Sequence, residues 1–322
     1  MTPQRPSLLL AGLSLLALGL ALPILVLLSA WFMLDAKGLH LLAEMTGTVL
    51  PDYALTSVLL CLGVGLGVVV VGTGCALLVT LFDFQGRRWL EWALLLPMAM
   101  PAYVLAYAYT DFFQYSGFFQ ASLREMFGWQ GRLPEVRSLG GAVWVFTMAL
   151  YPYVYVLARA ALAERVQPLM EAARLLGASY RRRLWRVALP LARPAVAAGA
   201  ALALMEVLAD FGVSSYFGIQ TFTAGIYKAW LVMDDRWAAA QLSTALLALV
   251  AMLLAWEKQA QSRQRFANSR PARKGLDSQP TRLNGLRAWA ACLGCTLVVL
   301  LGFVLPVTIL LHNWLASDVA LT

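Results

Sequence analysis

Long apolar stretches separated by short polar segments dominate this chain. Seven stretches are long enough to cross a bilayer as helices, because about 20 apolar residues cover its hydrocarbon core. The segments between them hold most of the charged residues. We therefore predict an all-α, polytopic membrane protein with spans at 8–33, 54–82, 90–109, 139–163, 191–217, 238–256 and 287–313.

Composition supports this class. The 322 residues are 61% hydrophobic and 13% charged, whereas soluble domains carry about 25% charged residues. The first span is too long for the core of a signal peptide, and no small-x-small cleavage site follows it, so we expect an uncleaved anchor. All four cysteines lie in apolar stretches and are interpreted as small helix residues: Cys61, Cys75, Cys292 and Cys295.

The basic residues predict the orientation of the spans. If the N-terminus is cytoplasmic, 19 of the 25 Lys and Arg residues lie on the cytoplasmic side, as the positive-inside rule requires. Segment 164–190 is then cytoplasmic. The net charge of +8 follows from this topology, so it does not point to nucleic acid.

Prolines and glycines inside the spans predict local geometry. Pro97 and Pro101 lie one turn apart in the third span, where proline frees backbone carbonyls and kinks a helix. Gly63 and Gly67 form a GxxxG pattern in the second span, which is typical of a helix-packing face.

A possible repeat links the two ends of the chain. Residues 18–31 (LGLALPILVLLSAW) and 301–314 (LGFVLPVTILLHNW) share seven of fourteen positions, including Gly, Pro and Trp. Chance similarity between apolar helices is one interpretation. The other is a six-span unit at 1–256, a basic cytoplasmic linker at 257–286 and, at 287–322, the first helix of a second unit that the sequence does not complete.

The segment EAARLLGASYRRRLWRVALP, 171–190, is the most structured polar segment between two spans. Pro168 suits the first turn of a short helix, and Gly177 can take the left-handed conformation that ends it. One helix face is apolar and consists of Leu169, Ala172, Ala173 and Leu176.

A second short helix is predicted after Gly177. Ser179 can cap it, Pro190 closes it before the next span, and its cationic face consists of Arg181, Arg182, Arg183 and Arg186. Two functions fit this helix–turn–helix: a docking surface that transmits movement from a soluble partner to the spans, or a helix pair that binds the bilayer surface through its arginines.

The spacing within this segment resembles the EAA signature of permease subunits of bacterial ATP-binding-cassette (ABC) importers. The signature is EAA, three residues, Gly, nine residues, an aliphatic residue, one residue and Leu-Pro. The only departure is a valine where isoleucine is usual. The resemblance implies coupling helices that bind in a groove of the cytoplasmic ATPase, formed by Glu171, Ala172, Ala173, Gly177, Val187, Leu189 and Pro190.

Two further stretches, 97–109 (PMAMPAYVLAYAY) and 208–227 (LADFGVSSYFGIQTFTAGIY), are similar to ferric-iron permeases, which have two fused six-span halves. This resemblance implies a type I six-span permease unit plus a seventh helix, in the bacterial inner membrane. The implied partners are a cytoplasmic ABC ATPase dimer, a periplasmic substrate-binding protein, and a second permease half or a second copy. The chain departs from that pattern in having one EAA segment.

Two acidic residues, Glu206 and Asp210, are four apart in the fifth span and are predicted to share a helix face. A carboxylate at mid-membrane costs about 2.5–3.5 kcal/mol, so it usually faces a cavity or a partner. One interpretation is that they line the substrate path together with Tyr103 and Tyr107. The other is that they form hydrogen bonds within the bundle. Carboxylates suit ferric iron as a substrate, but no resident metal site is assigned.

The leading functional hypothesis is a permease that moves ferric iron into the cytoplasm by ATPase-driven alternating access. The chain has no phosphate-binding loop, so we expect no enzyme activity and no cofactor, with ATP hydrolysis in a separate subunit. Alternatives are the same machinery for thiamine, a polyamine or an oxyanion, a membrane assembly protein, or an intramembrane enzyme. The last is disfavoured because the chain has no HExxH motif and no nucleophile–histidine arrangement.

Overall fold

The computed structural model describes residues 8–29, 31, 47–115, 117–128, 131, 135–262 and 281–319, and these form an all-α membrane protein. Within them, six helical stretches are long and apolar enough to cross a membrane, and a bent helix pair makes a seventh. The six stretches are Leu10–Ser29, Leu50–Leu81, Leu139–Glu164, Tyr180–Ala209, Arg236–Gln259 and Leu286–Leu315.

The elements are labelled in chain order. The helices are α1 (Leu8–Ser29), α2 (Leu50–Leu81), α3 (Arg87–Ala93), α4 (Ala102–Phe113), α5 (Phe118–Phe127), α6 (Leu139–Ala161), α7 (Gln167–Leu175), α8 (Tyr180–Arg183), α9 (Leu189–Ala209), α10 (Gly212–Phe217), α11 (Phe222–Tyr227), α12 (Arg236–Ser262), α13 (Leu286–Val299) and α14 (Leu305–Val319). Within the described residues, four π-helical turns adjoin them at Leu162–Val166, Leu184–Ala188, Lys228–Val232 and Leu300–Val304, and Leu96–Ala99 is a 3₁₀ turn.

Helices α2, α6 and α9 form the centre of the bundle and meet at Val154 of α6. A Cβ at Gly72 of α2 would lie 2.7 Å from Val154 Cβ, and one at Gly199 of α9 would lie 2.6 Å from Val154 Cα. Gly63 and Gly67 also face α6 so closely that a side chain would collide with it. The predicted packing face on the second span is therefore confirmed.

The predicted third span, 90–109, is not one straight helix. Its two halves, Arg87–Ala99 and Ala102–Phe113, are bent by 94°. Pro97 lies in the 3₁₀ turn and Pro101 immediately precedes α4. The break follows from the missing N–H groups of the two prolines, so the predicted kink is confirmed and the single helix is corrected.

Tyrosines of α6 satisfy carbonyls near this break. The Tyr151 hydroxyl donates to the Leu94 carbonyl and the Tyr155 hydroxyl to the Glu91 carbonyl, both at 2.9 Å. Both tyrosine side chains are buried. Because the bilayer core has no water to bind freed backbone groups, these two bonds allow a sharply bent chain to persist inside the bundle.

The last span, Leu286–Leu315, packs against the rest of the bundle. Ala291, Cys295 and Val299 belong to the main core. The Tyr109 hydroxyl donates to the Leu301 carbonyl at 2.7 Å, five residues before Pro306, whose missing N–H leaves no π-helical donor for that carbonyl. The last span is thus fixed to α4.

Helix α1, in contrast to the last span, contributes none of its described residues to the main core. None of its apolar window is buried within the structure. It packs alongside α12, where the Trp31 indole donates to the Thr244 hydroxyl at 2.9 Å. Its apolar surface is therefore available to lipid or to another membrane helix.

The segment predicted as a basic linker, 257–286, contains regular structure at both ends. Its start is helical, since α12 continues to Ser262, and 263–280 lie outside the described residues. Its end forms a short strand, β2 (Thr281–Arg282), which pairs in parallel with β1 (Phe82–Asp83). The pairing joins the chain before the last span to the end of α2.

Two glycines of α2 give a matched test of the central packing. We expect Gly72→Leu to lower the free energy of unfolding by about 1–3 kcal/mol, because overpacking forces the helices apart. Gly74→Leu adds the same side chain where nothing lies within 4 Å, so it should leave stability nearly unchanged. Thermal unfolding in detergent measures both, and equal effects would contradict the packing described.

Candidate functional site

The segment that carries the EAA-like spacing forms a bent unit that we call the elbow: α7, the turn at Gly177, α8 and the residues up to Pro190. Pro168 lies in the first turn of α7, as predicted. Gly177 has φ +78°, and Ala178 N–H donates to the Ala173 carbonyl at 3.0 Å. This bond and the left-handed glycine are the usual way to end a helix, so the predicted turn is observed.

The second half of the elbow differs from the prediction. It is not a short helix that Pro190 closes, because Tyr180–Ala209 is one continuous 30-residue helical stretch. Pro190 is accommodated in the first turn of α9, directly after the π-helical turn Leu184–Ala188. The Ser179 side chain makes no capping bond; it is exposed, where water can satisfy the first N–H groups of α8.

The predicted apolar face of α7 points away from the bundle. Leu169 is 48% exposed and Leu176 is 88% exposed, and Leu175 beside it is 89% exposed. Ala172 is exposed as well, and Ala173 is half-buried. The elbow therefore presents leucines to its surroundings at the point where the chain turns.

The opposite side of the elbow is fixed to the spans. Met170 is buried in the main core, and Arg183 Nη1 donates to its carbonyl at 3.2 Å across the turn. The ring of Tyr180 contacts that of Phe82, at the end of α2, with centroids 5.4 Å apart. None of these positions was predicted as a contact; the spacing of Met170 four residues after the apolar Val166 is the signal that points to it.

The signature residues separate into two groups. Glu171, Ala172, Ala173 and Gly177 lie on α7 and its turn, whereas Val187, Leu189 and Pro190 lie at the base of the long helix. Val187 packs against the main core. Arg183 also departs from the predicted cationic face, since it is half-buried, while Arg181, Arg182 and Arg186 are exposed.

The acidic pair of the fifth span does not share a helix. Helix α9 ends at Ala209, and Asp210 is extended, with ψ 127°. Its Oδ1 accepts a 2.8 Å hydrogen bond from the Val213 N–H, and its carbonyl accepts from the Thr223 hydroxyl at 2.8 Å. The predicted helix 191–217 is thus broken, because Asp210 caps the start of α10 instead of continuing α9.

The four predicted path residues nevertheless lie near one another. A Cβ at Gly212 would lie 3.0 Å from Tyr103 Cβ and 3.7 Å from Asp210 Oδ2. Tyr107 contacts the ring of Tyr216, with centroids 6.3 Å apart. We call this group, with Glu206, the acidic–tyrosine cluster.

Both acidic and basic groups lie at the acidic–tyrosine cluster. Asp210 lies past the end of the long helix, where burial raises the pKa of its carboxyl, backbone N–H donors oppose that shift and Glu206 adds to it. The Arg137 guanidinium lies 4.5 Å from the centroid of the Tyr216 ring. Glu206, Tyr103 and Tyr107 are exposed in the isolated chain. In the described part of the chain, no three His, Cys, Asp or Glu side chains gather as they would around a bound metal.

The fold and the elbow together define an all-α, polytopic membrane protein of the permease class. The family described as "Binding-protein-dependent transport system inner membrane component" matches residues 68–263, more than half of the chain. The chain belongs to this family. Its members are multi-pass permease components of ABC importers, so the expectation that the chain is not an enzyme is confirmed.

The curated relatives of this chain are named for several different substrates. It is 28% identical over 198 residues to the Fe(3+)-transport system permease protein FbpB 2 of Haemophilus influenzae, covering 62% of this chain and 35% of that protein. It is 30% identical over 186 residues to a probable sulfate transport permease of Chlorokybus atmophyticus, covering 54% and 60%. It is 31% identical over 134 residues to the molybdenum transport permease ModB of Escherichia coli, covering 42% and 57%. The chain thus spans less than two thirds of the length of each of these three relatives.

A solved structure confirms the fold. A bacterial alginate ABC transporter in complex with an alginate-bound periplasmic protein aligns with a TM-score of 0.62. The alignment covers 82% of this chain and 96% of that chain, at 16% identity.

Asp210 and Glu206 make a matched pair for testing the capping role. We expect Asp210→Ala to lower stability by about 1 kcal/mol, because the N–H of Val213 loses its acceptor. Asp210→Asn should retain most of the stability, since asparagine caps as well. Glu206→Ala removes an exposed side chain and should have little effect. Thermal unfolding in detergent tests this, and an Asp210→Ala protein as stable as the wild type would contradict the capping role.

Proposed function

We propose that this chain is the permease component of an ABC importer and that the elbow is its contact with a cytoplasmic ATPase. The observation that carries the proposal is the exposure of Leu175 and Leu176 at the Gly177 turn, on the side opposite the contacts to α2. Exposed apolar side chains on a rigidly held turn suit insertion into a groove of a soluble partner.

The length of the helix after Gly177 indicates that the turn at Gly177 lies outside the apolar core of the membrane. Thirty residues from Tyr180 to Ala209 extend about 45 Å, whereas the hydrocarbon core is about 30 Å thick. The basic residues of the elbow favour the cytoplasmic side, which makes the N-terminus cytoplasmic as well. A soluble ATPase can therefore reach the turn.

The proposed mechanism is alternating access driven by an ATPase dimer. ATP hydrolysis belongs to that separate subunit, and its closure displaces the elbow. Because α8 and α9 form one helical stretch, displacement of the turn moves α9, and the Tyr180–Phe82 contact moves the end of α2 with it. The two helices meet again at Val154, so a movement at the turn reaches the centre of the bundle.

A dimer of ATPases has two docking grooves, so a second elbow is needed. We infer that it comes from a second permease half or a second copy, with 1–256 as the first six-span unit, 257–286 as the linker and 287–322 as the first helix of the second unit. The repeat supports this: one face of the last span packs against the first unit, while the counterpart helix α1 is exposed. The second unit would cover α1 in the same way.

The substrate is proposed to be ferric iron delivered by a periplasmic binding protein. The similarity to the ferric permease of Haemophilus influenzae supports this choice, and the acidic–tyrosine cluster offers carboxylate and phenol oxygens, which suit a hard cation. An oxyanion is the second candidate, because the sulfate and molybdenum permeases are also similar and Arg137 lies beside the cluster.

The elbow leucines give the direct test. We expect Leu175→Ser with Leu176→Ser to weaken ATPase binding by about a hundredfold, because two buried apolar contacts are lost at the interface. Both side chains are almost fully exposed, so the permease itself should fold normally. The measurement is affinity between the purified permease and the ATPase of the same transport system.

The matched control is Val232→Ser with Met233→Ser, two exposed apolar residues outside the elbow. It should bind the ATPase as the wild type does. Undiminished binding by the elbow variant would refute the coupling role and would favour the interpretation of the elbow as a lipid-binding surface.

A substitution at Glu206 tests whether this residue lines the proposed substrate path. We expect Glu206→Gln to lower ferric uptake by about tenfold or more in proteoliposomes with the ATPase and binding protein present, because a neutral amide attracts a cation less. Glu125→Gln removes an exposed carboxylate of α5 and serves as the control. Unchanged iron uptake would remove Glu206 from the path, and uptake of molybdate instead of iron would favour the oxyanion candidate.

A further inference from the structure

A pocket of about 700 Å³ lies between the elbow and the start of the last span. Phe82 forms part of its wall, and the elbow contributes Arg174, Tyr180 and Arg183. The remaining lining comes from the segment that leads into α13, namely Thr281, Arg282, Leu283, Asn284, Leu286 and Arg287. We call it the arginine pocket.

The charges of the arginine pocket are unbalanced. Four arginines line it, and no Asp or Glu is among the lining residues. Within the described part of the chain, none of the four forms an ion pair; the two ion pairs found there are Arg87–Asp83 and Arg159–Glu91. Four like charges around one space repel one another, and an anion between them would relieve that repulsion.

Two polar atoms at this pocket are buried without a hydrogen-bond partner in the described part of the chain. They are Arg183 Nε and the Tyr180 hydroxyl. The other end of the Arg183 side chain is occupied, since Nη1 donates to the Met170 carbonyl. A buried N–H and a buried hydroxyl without acceptors destabilise the fold, so both point to an acceptor that the protein itself does not supply.

The chemistry of the lining selects the ligand. Guanidinium groups present paired N–H donors that match phosphate oxygens, and basic pockets between helices at the cytoplasmic surface suit lipid head groups. Exposed Trp89 and Trp289, in the helices that begin beside the pocket, are typical of the level where head groups lie. We propose that the arginine pocket binds a phosphate group, and that this bound phosphate joins the two sides of the elbow to the start of the last span.

The arginine pocket lies between parts of the chain that are well separated in sequence. Arg174 precedes the Gly177 turn and Arg183 follows it, while Arg282 lies in β2 and Arg287 in α13. A phosphate shared by these groups fixes the angle of the elbow relative to the last span. Its effect on transport rests on the proposed coupling role, but binding itself does not.

The test compares two triple variants of equal charge. Arg174→Gln with Arg282→Gln and Arg287→Gln removes the three exposed arginines of the pocket, and Arg181→Gln with Arg182→Gln and Arg186→Gln removes three exposed arginines of the same elbow outside it. Native mass spectrometry of the purified protein measures binding of dioleoyl phosphatidylglycerol, with dioleoyl phosphatidylcholine as the reference. Stabilisation by inorganic phosphate is measured by thermal unfolding.

We expect the pocket variant to bind at least one of the two phosphate probes about tenfold more weakly, and the control variant to bind as the wild type does. Loss of phosphatidylglycerol binding identifies a lipid head group, and loss of the phosphate effect alone identifies a free phosphate. Tyr180→Phe should weaken the same probe less, since it removes one hydroxyl. Equal losses in both triple variants, or no loss in either, would overturn the proposal.

Discussion

The close contact of three helices at Val154 is the constraint on which the rest of the structure depends. Gly72 and Gly199 approach this residue from two sides, so α2 and α9 touch the backbone of the same turn of α6. In a bilayer, where lipid is as apolar as leucine, such close packing is the main force between helices. Because the contact is so close, we expect that α9 cannot shift without moving α6 and α2. The base of the elbow, which continues into α9, should therefore move together with the centre of the bundle.

The sequence predicts the spans well because long apolar stretches have one stable form in a bilayer. Spans 54–82, 139–163, 238–256 and 287–313 agree with the observed helices within a few residues. The GxxxG face and the left-handed turn at Gly177 were also predictable, since both depend on the absence of a side chain. The role of the signature residues as ATPase contacts stays a prediction.

The errors have a shared cause. Hydropathy does not register a local break. The prolines predict a kink in the third span but not a bend as sharp as 94°, and nothing in the apolar pattern marks the end of α9 at Ala209 within the predicted span 191–217. In each case a side chain supplies what the helix loses: Tyr151 and Tyr155 donate to carbonyls near the first break, and Asp210 accepts from the Val213 N–H at the second. The tyrosines are distant in sequence from the carbonyls that they bind, and the Asp210 side chain competes with a continuing helix for a backbone N–H. A count of apolar residues carries no information about either kind of bond.

Asp210 illustrates how a carboxylate at the end of a long helix can stabilise the turn that follows. Oδ1 is engaged in capping α10, while Oδ2 lies near Gly212 and Tyr103. The cap holds the carboxylate in place just past the end of α9, four residues after Glu206. A carboxylate that accepts a backbone hydrogen bond costs less to bury than an unpaired acid. The break in the helix therefore gives Asp210 a backbone N–H donor, that of Val213, which a continuous helix would have kept within its own backbone hydrogen bonds.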